Sequence, residues 1–212
     1  MKHLHKLRYE YRVGSLDENS SGDDPLKLFE KWLRAACKTH PKDPNAMVLS
    51  SVDKFRRPAS RVVLLKEFSQ RGFVFFTNYE SRKGQELKKN PYVATTFFWP
   101  LLERQVRIEG SITKLSSKEN QAYFAARPRD AQLSAWASSQ SDQVSSRKVL
   151  EQNLKTLEQA FQDRKIPCPP YWGGYLIKPR SIEFWQGREN RLHDRIVFSR
   201  SGKTWKKSRI SP

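Results

Sequence analysis

The 212 residues predict an α+β domain built on an antiparallel, barrel-like sheet. Two observations carry that prediction. Strand-like segments come in blocks, with helical segments inserted between them and not alternating one for one, which argues against a parallel doubly wound sheet. Six Trp, twelve Phe and seven Tyr in a chain that is 37% hydrophobic supply the bulk for a sizeable core. No repeat, low-complexity tract or linker divides the chain, so one domain over 23–212 is expected behind a polar, flexible lead-in over 1–22.

Each element has a local reason. Asp24 before Pro25 is helix-start grammar, and Leu26, Phe29, Leu33 and Ala36 recur at helical spacing with Trp32 beside them. "AMVLSSV" (46–52) and "ASRVVLLKEF" (59–68) are rich in β-branched and aliphatic residues and read as strands around a "DKFRRP" turn. "GFVFFTN" (72–78) follows closely, so 59–78 reads as a hairpin. "YVATTFFW" (92–99) and "ERQVRIEGSITKL" (103–115) form another, with Val106 and Ile108 alternating with polar neighbours as on a half-buried strand. Ser116 and Glu119 make a capping box that opens a helix ending at Arg127, ahead of Pro128. "RDAQLSAWA" reads as a short helix, and Leu150, Leu154, Leu157 and Phe161 stripe a longer one over 145–163, ended by "KIPCPP". "GGYLIKP", "SIEFWQG", "HDRIVFSR" and "KTWKKSRI" then return to strand.

Composition excludes several functions. No apolar run approaches the ~20 residues that span a bilayer, and the basic N-terminus lacks the apolar stretch of a secretory signal, so a cytoplasmic protein with no membrane partner is expected. Cys37 and Cys168 are far apart and fit neither a disulfide scaffold nor a zinc site; no metal is expected. Forty Lys and Arg against twenty-two Asp and Glu give +18, which attracts polyanions. These cations are scattered, with short clusters at 56–57, 82–83, 88–89 and 206–207, and no nucleic-acid motif accompanies them, so nucleic acid is not the expected partner. Nucleophile triad, zinc helix, Walker loop and G-x-G-x-x-G are all absent.

Four constellations remain. In "FFTNYESRKGQEL" (75–87) a strand ends at Thr77 and Asn78 and a helix begins at Ser81, with Arg82 and Lys83 in its first turn. Cations there oppose the helix dipole and make sense if an anion sits on the free N–H groups; a solvated turn is the plainer reading. Arg61 and Lys66 bracket the apolar run of "RVVLLK", and in a regular strand they project to opposite faces. Tyr123 and Arg127 share a helix face, which suits a phosphate or a stacked surface pair, and Gln140 and Ser141 suit a ligand or a loop. Arg191, His193 and Arg195 alternate along one extended face behind Trp185, whose ring suits a planar partner; a charged loop is the alternative. Two cation sets with aromatic walls and no acid–base machinery suggest two phosphorylated ligands, one of them a cofactor that carries the chemistry.

The segments "RVVLLK", "FFTNYESRKG", "ERQVRIEG", "YFAARPRDAQ", "SSQS", "WGGY", "EFWQG" and "NRLHDR" together resemble the pyridoxine (pyridoxamine) 5′-phosphate oxidase family, in its order and spacing, from residue 24 to the C-terminus. "RYEY" (8–11) resembles the family's N-terminal substrate segment. The resemblance implies an FMN-binding split β-barrel, a homodimer with active sites shared between subunits, and oxidation of pyridoxamine or pyridoxine 5′-phosphate to pyridoxal 5′-phosphate with O2 reduced to hydrogen peroxide. By motif position it implies FMN contacts from Arg61, Val62, Val63, Leu64, Leu65, Lys66, Phe76, Thr77, Arg82, Lys83, Gln105, Gln140, Ser141, Trp185 and Arg195. Arg61, Arg82 and Lys83 would meet the flavin phosphate. It implies substrate contacts from Lys66, Tyr123 and Arg127 at the phosphate, and from Arg191, Leu192 and His193 at the ring, with Arg8 and Tyr11 closing as a lid. Arg191 and His193 are the implied catalytic pair, as positioning and electrostatic groups.

Two departures from the family pattern stand out. Ala131 occupies a position where the family commonly has Ser, removing one hydroxyl donor to the substrate phosphate, and Phe76 stands where some members have Tyr. Ala131 keeps open a paralogue that binds FMN or pyridoxal phosphate but turns over poorly, and the charge of +18 keeps open a basic nucleic-acid-binding module.

Overall fold

The computed structural model describes residues 3, 6, 10–40 and 42–212. Asp24 caps the first helix, α1 (Pro25–Thr39), accepting the Leu26 N–H at 2.9 Å, with Pro25 in the first turn. The strands β1 (Ala46–Val52) and β2 (Pro58–Leu64) pair as an antiparallel hairpin. A short β3 (Glu67–Ser69) and β4 (Gly72–Asn78) follow, then α2 (Arg82–Lys89), β5 (Tyr92–Trp99) and β6 (Arg104–Lys114). Three helices come next, α3 (Ser117–Ala125), α4 (Arg129–Ala137) and α5 (Arg147–Ala160), and the chain closes with β7 (Trp172–Gln186), β8 (Asp194–Ser201) and β9 (Thr204–Arg209). The predicted capping box opens α3: Ser116 Oγ accepts the Glu119 N–H, and the Glu119 carboxylate accepts the Ser116 N–H at 2.8 Å.

The described strands form one antiparallel sheet in the order β2-β1-β5-β6-β7-β4-β3, with β8 branching off β7 and β9 off β8. The Lys66 N–H donates to the Val74 carbonyl at 2.8 Å, bringing the end of β2 against β4, so the sheet curls into a half-barrel with helices at its periphery. Its interior is aromatic. Phe29 of α1 plugs it, meeting Phe68, Phe73 and Phe97 edge-on at about 5 Å between ring centres. A second, smaller core joins Phe124, Leu133, Ile166 and Trp172, with Leu154, Leu157 and Phe161 of the α5 stripe packed against it. No described helix is long and apolar enough to cross a membrane.

Two strand expectations need correction. The run 59–68 is not one strand, and 59–78 is not one hairpin. Leu65 still faces the residue before β1, its N–H donating to the Asn45 carbonyl and its carbonyl accepting from Asn45 Nδ2 at 2.7 Å, and the chain changes partner at Lys66, whose N–H turns to Val74 of β4. β2 therefore belongs with β1, only 67–78 is a hairpin, and Lys66 falls at the crossing between the two. Conversely, "GGYLIKP" and "SIEFWQG" are one strand, β7. Pro179 is tolerated because it pairs with Gly110 at a register shift, where the ladder is already interrupted. A Cβ at Gly110 would collide with the Lys178 carbonyl, so the bulge itself demands glycine.

Candidate active site

The site begins where β4 runs into α2. Ser81 caps α2, its hydroxyl accepting the Gly84 N–H. This directs Lys83 back over the end of β4, where its Nζ donates to Thr77 Oγ1 at 2.9 Å, Gln140 Oε1 at 2.8 Å and Ser81 Oγ at 3.3 Å. All three acceptors are neutral. Burial, with repulsion from Arg61 added, pulls the Lys83 ammonium down to about 8 against a smaller opposing pull from Glu86. An anion beside it would favour the charged form.

Arg61 and Arg82 are tied to a carboxylate. Glu86, one helical turn beyond Arg82, accepts Arg82 Nε at 3.0 Å and Arg61 Nη2 at 2.7 Å, and Ser51 Oγ at 2.5 Å. Burial pushes the Glu86 carboxyl up, but Ser51, Arg61 and Arg82 together outweigh it and hold it below the usual range. Of these three cations, Lys83 alone has no carboxylate within hydrogen-bond reach among the described residues.

A cleft of about 540 Å³ opens beside Lys83, lined by Val62, Val63, Leu64, Lys66, Phe76, Thr77, Tyr123, Arg127, Ala131, Gln140 and Trp172 among others. Phe76 and Tyr123 stack 3.8 Å apart, and Trp172 lies nearly parallel to both, 5.1 Å from Phe76 and 6.1 Å from Tyr123. The Arg127 guanidinium lies 4.7 Å over the Trp172 ring, and its Nη1 is buried with no hydrogen-bond partner among the described residues. A buried donor without an acceptor is costly unless a ligand supplies one.

The remaining predicted residues lie elsewhere. Gln105, Trp185 and Arg195 form one row across β6, β7 and β8, as directly paired positions. Trp185 packs 4.7 Å from His193, and Tyr11 meets both rings edge-on, at 5.6 and 5.4 Å. Gly187 makes room for that ring, since a Cβ there would fall 2.7 Å from Tyr11. His193 Nδ1 accepts the Arg188 N–H at 3.1 Å, which leaves the proton of the neutral imidazole on Nε2. Burial and the neighbouring Arg191 pull this imidazole below its ordinary value, against Asp194. Arg191 has positive φ, and Leu192 is 70% exposed. Trp172 of the cleft and Trp185 of this second group stand at opposite ends of β7, up to ~40 Å of strand apart.

The structure thus divides the predicted residues into two half-sites. Ser141 joins the first, accepting the Arg82 N–H at 3.2 Å, whereas Leu65 points into the core and can address a ligand only through its backbone. Arg195 is held by Glu183 at 2.8 Å. Arg8 lies outside the described residues. Sequence reasoning missed Glu86, Ser51, Glu183 and Asp194. Glu86 was findable, since Arg82 and Glu86 are four apart on one helix; Ser51, Glu183 and Asp194 meet Arg61, Arg195 and Arg209 across neighbouring strands.

Comparison with known proteins identifies the family. The pattern described as "Pyridoxamine 5′-phosphate oxidase" covers residues 33–161, and one described as "Pyridoxine 5′-phosphate oxidase C-terminal dimerisation region" covers 172–212. The pyridoxine/pyridoxamine 5′-phosphate oxidase of Cyanothece sp. is 50% identical over 206 residues, 97% of either chain, and that of Leptospira biflexa is 49% identical over the full length of both. Among solved structures, PhzG from Burkholderia lata, in complex with tetrahydrophenazine-1-carboxylic acid, superposes with a TM-score of 0.87 at 29% identity, covering 94% of this chain and 99% of that one. A pyridoxamine 5′-phosphate oxidase-related, FMN-binding protein of Nostoc punctiforme shares the fold, with a TM-score of 0.71 at 16% identity, covering 90% of this chain and all of that one.

Proposed function

The chain belongs to the pyridoxine/pyridoxamine 5′-phosphate oxidase family, and from that premise we propose that it oxidises pyridoxamine and pyridoxine 5′-phosphate to pyridoxal 5′-phosphate, with O2 reduced to hydrogen peroxide and ammonia released from the amine. The observation that carries the reading is the buried, unpartnered Nη1 of Arg127, in a cleft that also holds Lys66 and the depressed ammonium of Lys83. That donor set fits two phosphate groups, one per bound ring system.

FMN suits the Lys83 corner. Its phosphate would meet Lys83, the α2 N-terminus and the outer faces of Arg61 and Arg82, whose orientation Glu86 and Ser51 fix in advance. Bound there, FMN supplies the hydride acceptor and the route of electrons to dioxygen. Lys66, Tyr123 and Arg127 would grip the substrate phosphate, with Arg127 already backed by Trp172. The second half-site supplies what the first lacks. Arg191 and His193 would face the pyridine ring, His193 with its Nε2 proton available to donate, while Trp185 and Tyr11 exclude water.

The two half-sites stand at opposite ends of β7 in one chain, which supports a homodimer with shared sites. The outward face of β1, β2 and β5 carries exposed Val48, Val62 and Phe98, an apolar surface for a second copy to cover. The test is peroxide production from pyridoxamine 5′-phosphate by protein reconstituted with FMN. Bound flavin without peroxide would remove the oxidase reading and leave the poorly active paralogue.

A further inference from the structure

We propose that Asp194 and Arg209 are positioning residues for the reacting end of the site, clamping the segment 10–18 and the loop 187–193 into one unit. The inference rests on the reading above only in assigning Tyr11 and His193 to the substrate ring; the clamp itself is in the geometry.

Asp194 follows His193 in the chain and lies mostly buried. One carboxylate oxygen accepts the Leu16 N–H and Arg188 Nη1, each at 3.0 Å, and the other accepts Arg209 Nη1 at 2.9 Å. Arg209 is equally committed. Its Nε and Nη2 take both oxygens of Glu18, at 2.8 and 3.1 Å, and Nη2 also donates to the Leu16 carbonyl at 3.0 Å. Leu16 is therefore held at both poles of its backbone by one ion pair, while its side chain is buried in the main core. Arg188 closes the circuit, its guanidinium on Asp194 and its N–H on His193 Nδ1. Further out, Glu10 accepts the Asn190 N–H, Arg12 pairs with Glu189 at 2.5 Å, and Tyr11 lies against His193 and Trp185.

Leu16 lies five positions after Tyr11, so fixing one limits the reach of the other. Fixing Asp194 and Arg188 limits the orientation of His193. A planar fork of donors is needed to serve two carboxylates and a carbonyl at once; the point charge of a lysine is not enough.

The test compares Arg209→Met, Arg209→Lys and Asp194→Asn with Lys207→Met. Lys207 pins the neighbouring turn through the Glu18 and Gly22 carbonyls without touching Leu16 or Asp194, so it controls for loss of general stability. In FMN-loaded protein, Arg209→Met and Asp194→Asn are expected to raise KM for pyridoxamine 5′-phosphate at least fivefold, with flavin affinity within twofold of the parent. Arg209→Lys should recover less than half of that loss on a logarithmic scale, and Lys207→Met should leave KM unchanged. In flavin-free protein, amide exchange at Leu16 should accelerate at least tenfold in Arg209→Met and Asp194→Asn but not in Lys207→Met. Parent-like KM in both hub variants, or full recovery in Arg209→Lys, would overturn the positioning role. Unchanged Leu16 exchange would overturn the clamp, and Asp194→Asn, nearly isosteric, decides if Arg209→Met does not fold. Should the parent protein make no peroxide, the oxidase reading falls, and with it the positioning role, while the exchange measurement still decides the clamp.

Discussion

Lys83 is the residue whose environment says most about its task. Its ammonium is held at about 8, below the 10.5 of a free lysine, so the unfolded chain binds more protons than the folded one between those values. Stability of the flavin-free protein should therefore rise as pH climbs from about 8 to 10.5, since below 8 the fold carries the full cost of the buried charge. Phosphate binding runs the other way. It favours protonated Lys83, so FMN affinity should weaken above pH 8, by up to about tenfold per pH unit for one linked proton. Fluorescence titration of FMN against pH checks this, and Lys83→Met should flatten the dependence. Ala131 lines the same cleft. Restoring a hydroxyl with Ala131→Ser should lower KM for the phosphorylated substrate; a hydrogen bond to a charged group is worth roughly 1.5–3 kcal/mol, so tenfold is a fair expectation. An unchanged KM would mean that water already fills the role.

At the scale of elements, α1 is the plug of the half-barrel. Phe29 is fully buried among three other aromatic rings, and Phe29→Ala should cost about 3–5 kcal/mol in denaturant unfolding, with little change in the denaturant slope. Most elements were readable because their causes are local: Asp24–Pro25 for α1, the Ser116–Glu119 box for α3, alternation in β6. The run 59–68 misled because its aliphatic residues fit a strand throughout. Its break comes after Leu65, the last residue held on the β1 side, by Asn45, because Lys66 turns its N–H to the Val74 carbonyl of β4, a partner the local sequence does not announce. That break sets Lys66 on the rim of the cleft.

Across the whole molecule, the separation of the half-sites yields the sharpest prediction. Lys83→Met disables the cleft and Arg191→Ala the opposite half; the second should cut kcat/KM about a hundredfold or more while flavin stays bound. If sites are shared, mixing the two inactive proteins creates mixed dimers with one intact site each. Random exchange should then restore about a quarter of parental activity. Sites built within single chains would give no recovery, and size-exclusion chromatography with exchange controls separates that outcome from failure to mix.

The sequence by itself determined the α+β class, most of the helices and strands, and the grouping of cations around Lys83, because each is written in neighbouring residues or in short ordered motifs. Tertiary structure alone decided that Glu86 also holds Arg61, that Arg127 is left with an unanswered donor among the described residues, and that Asp194 and Arg209 grip Leu16. Charge pairing depends on which side chains the curled sheet brings within about 3 Å, and partners up to 193 positions apart in the chain leave no periodic trace in it.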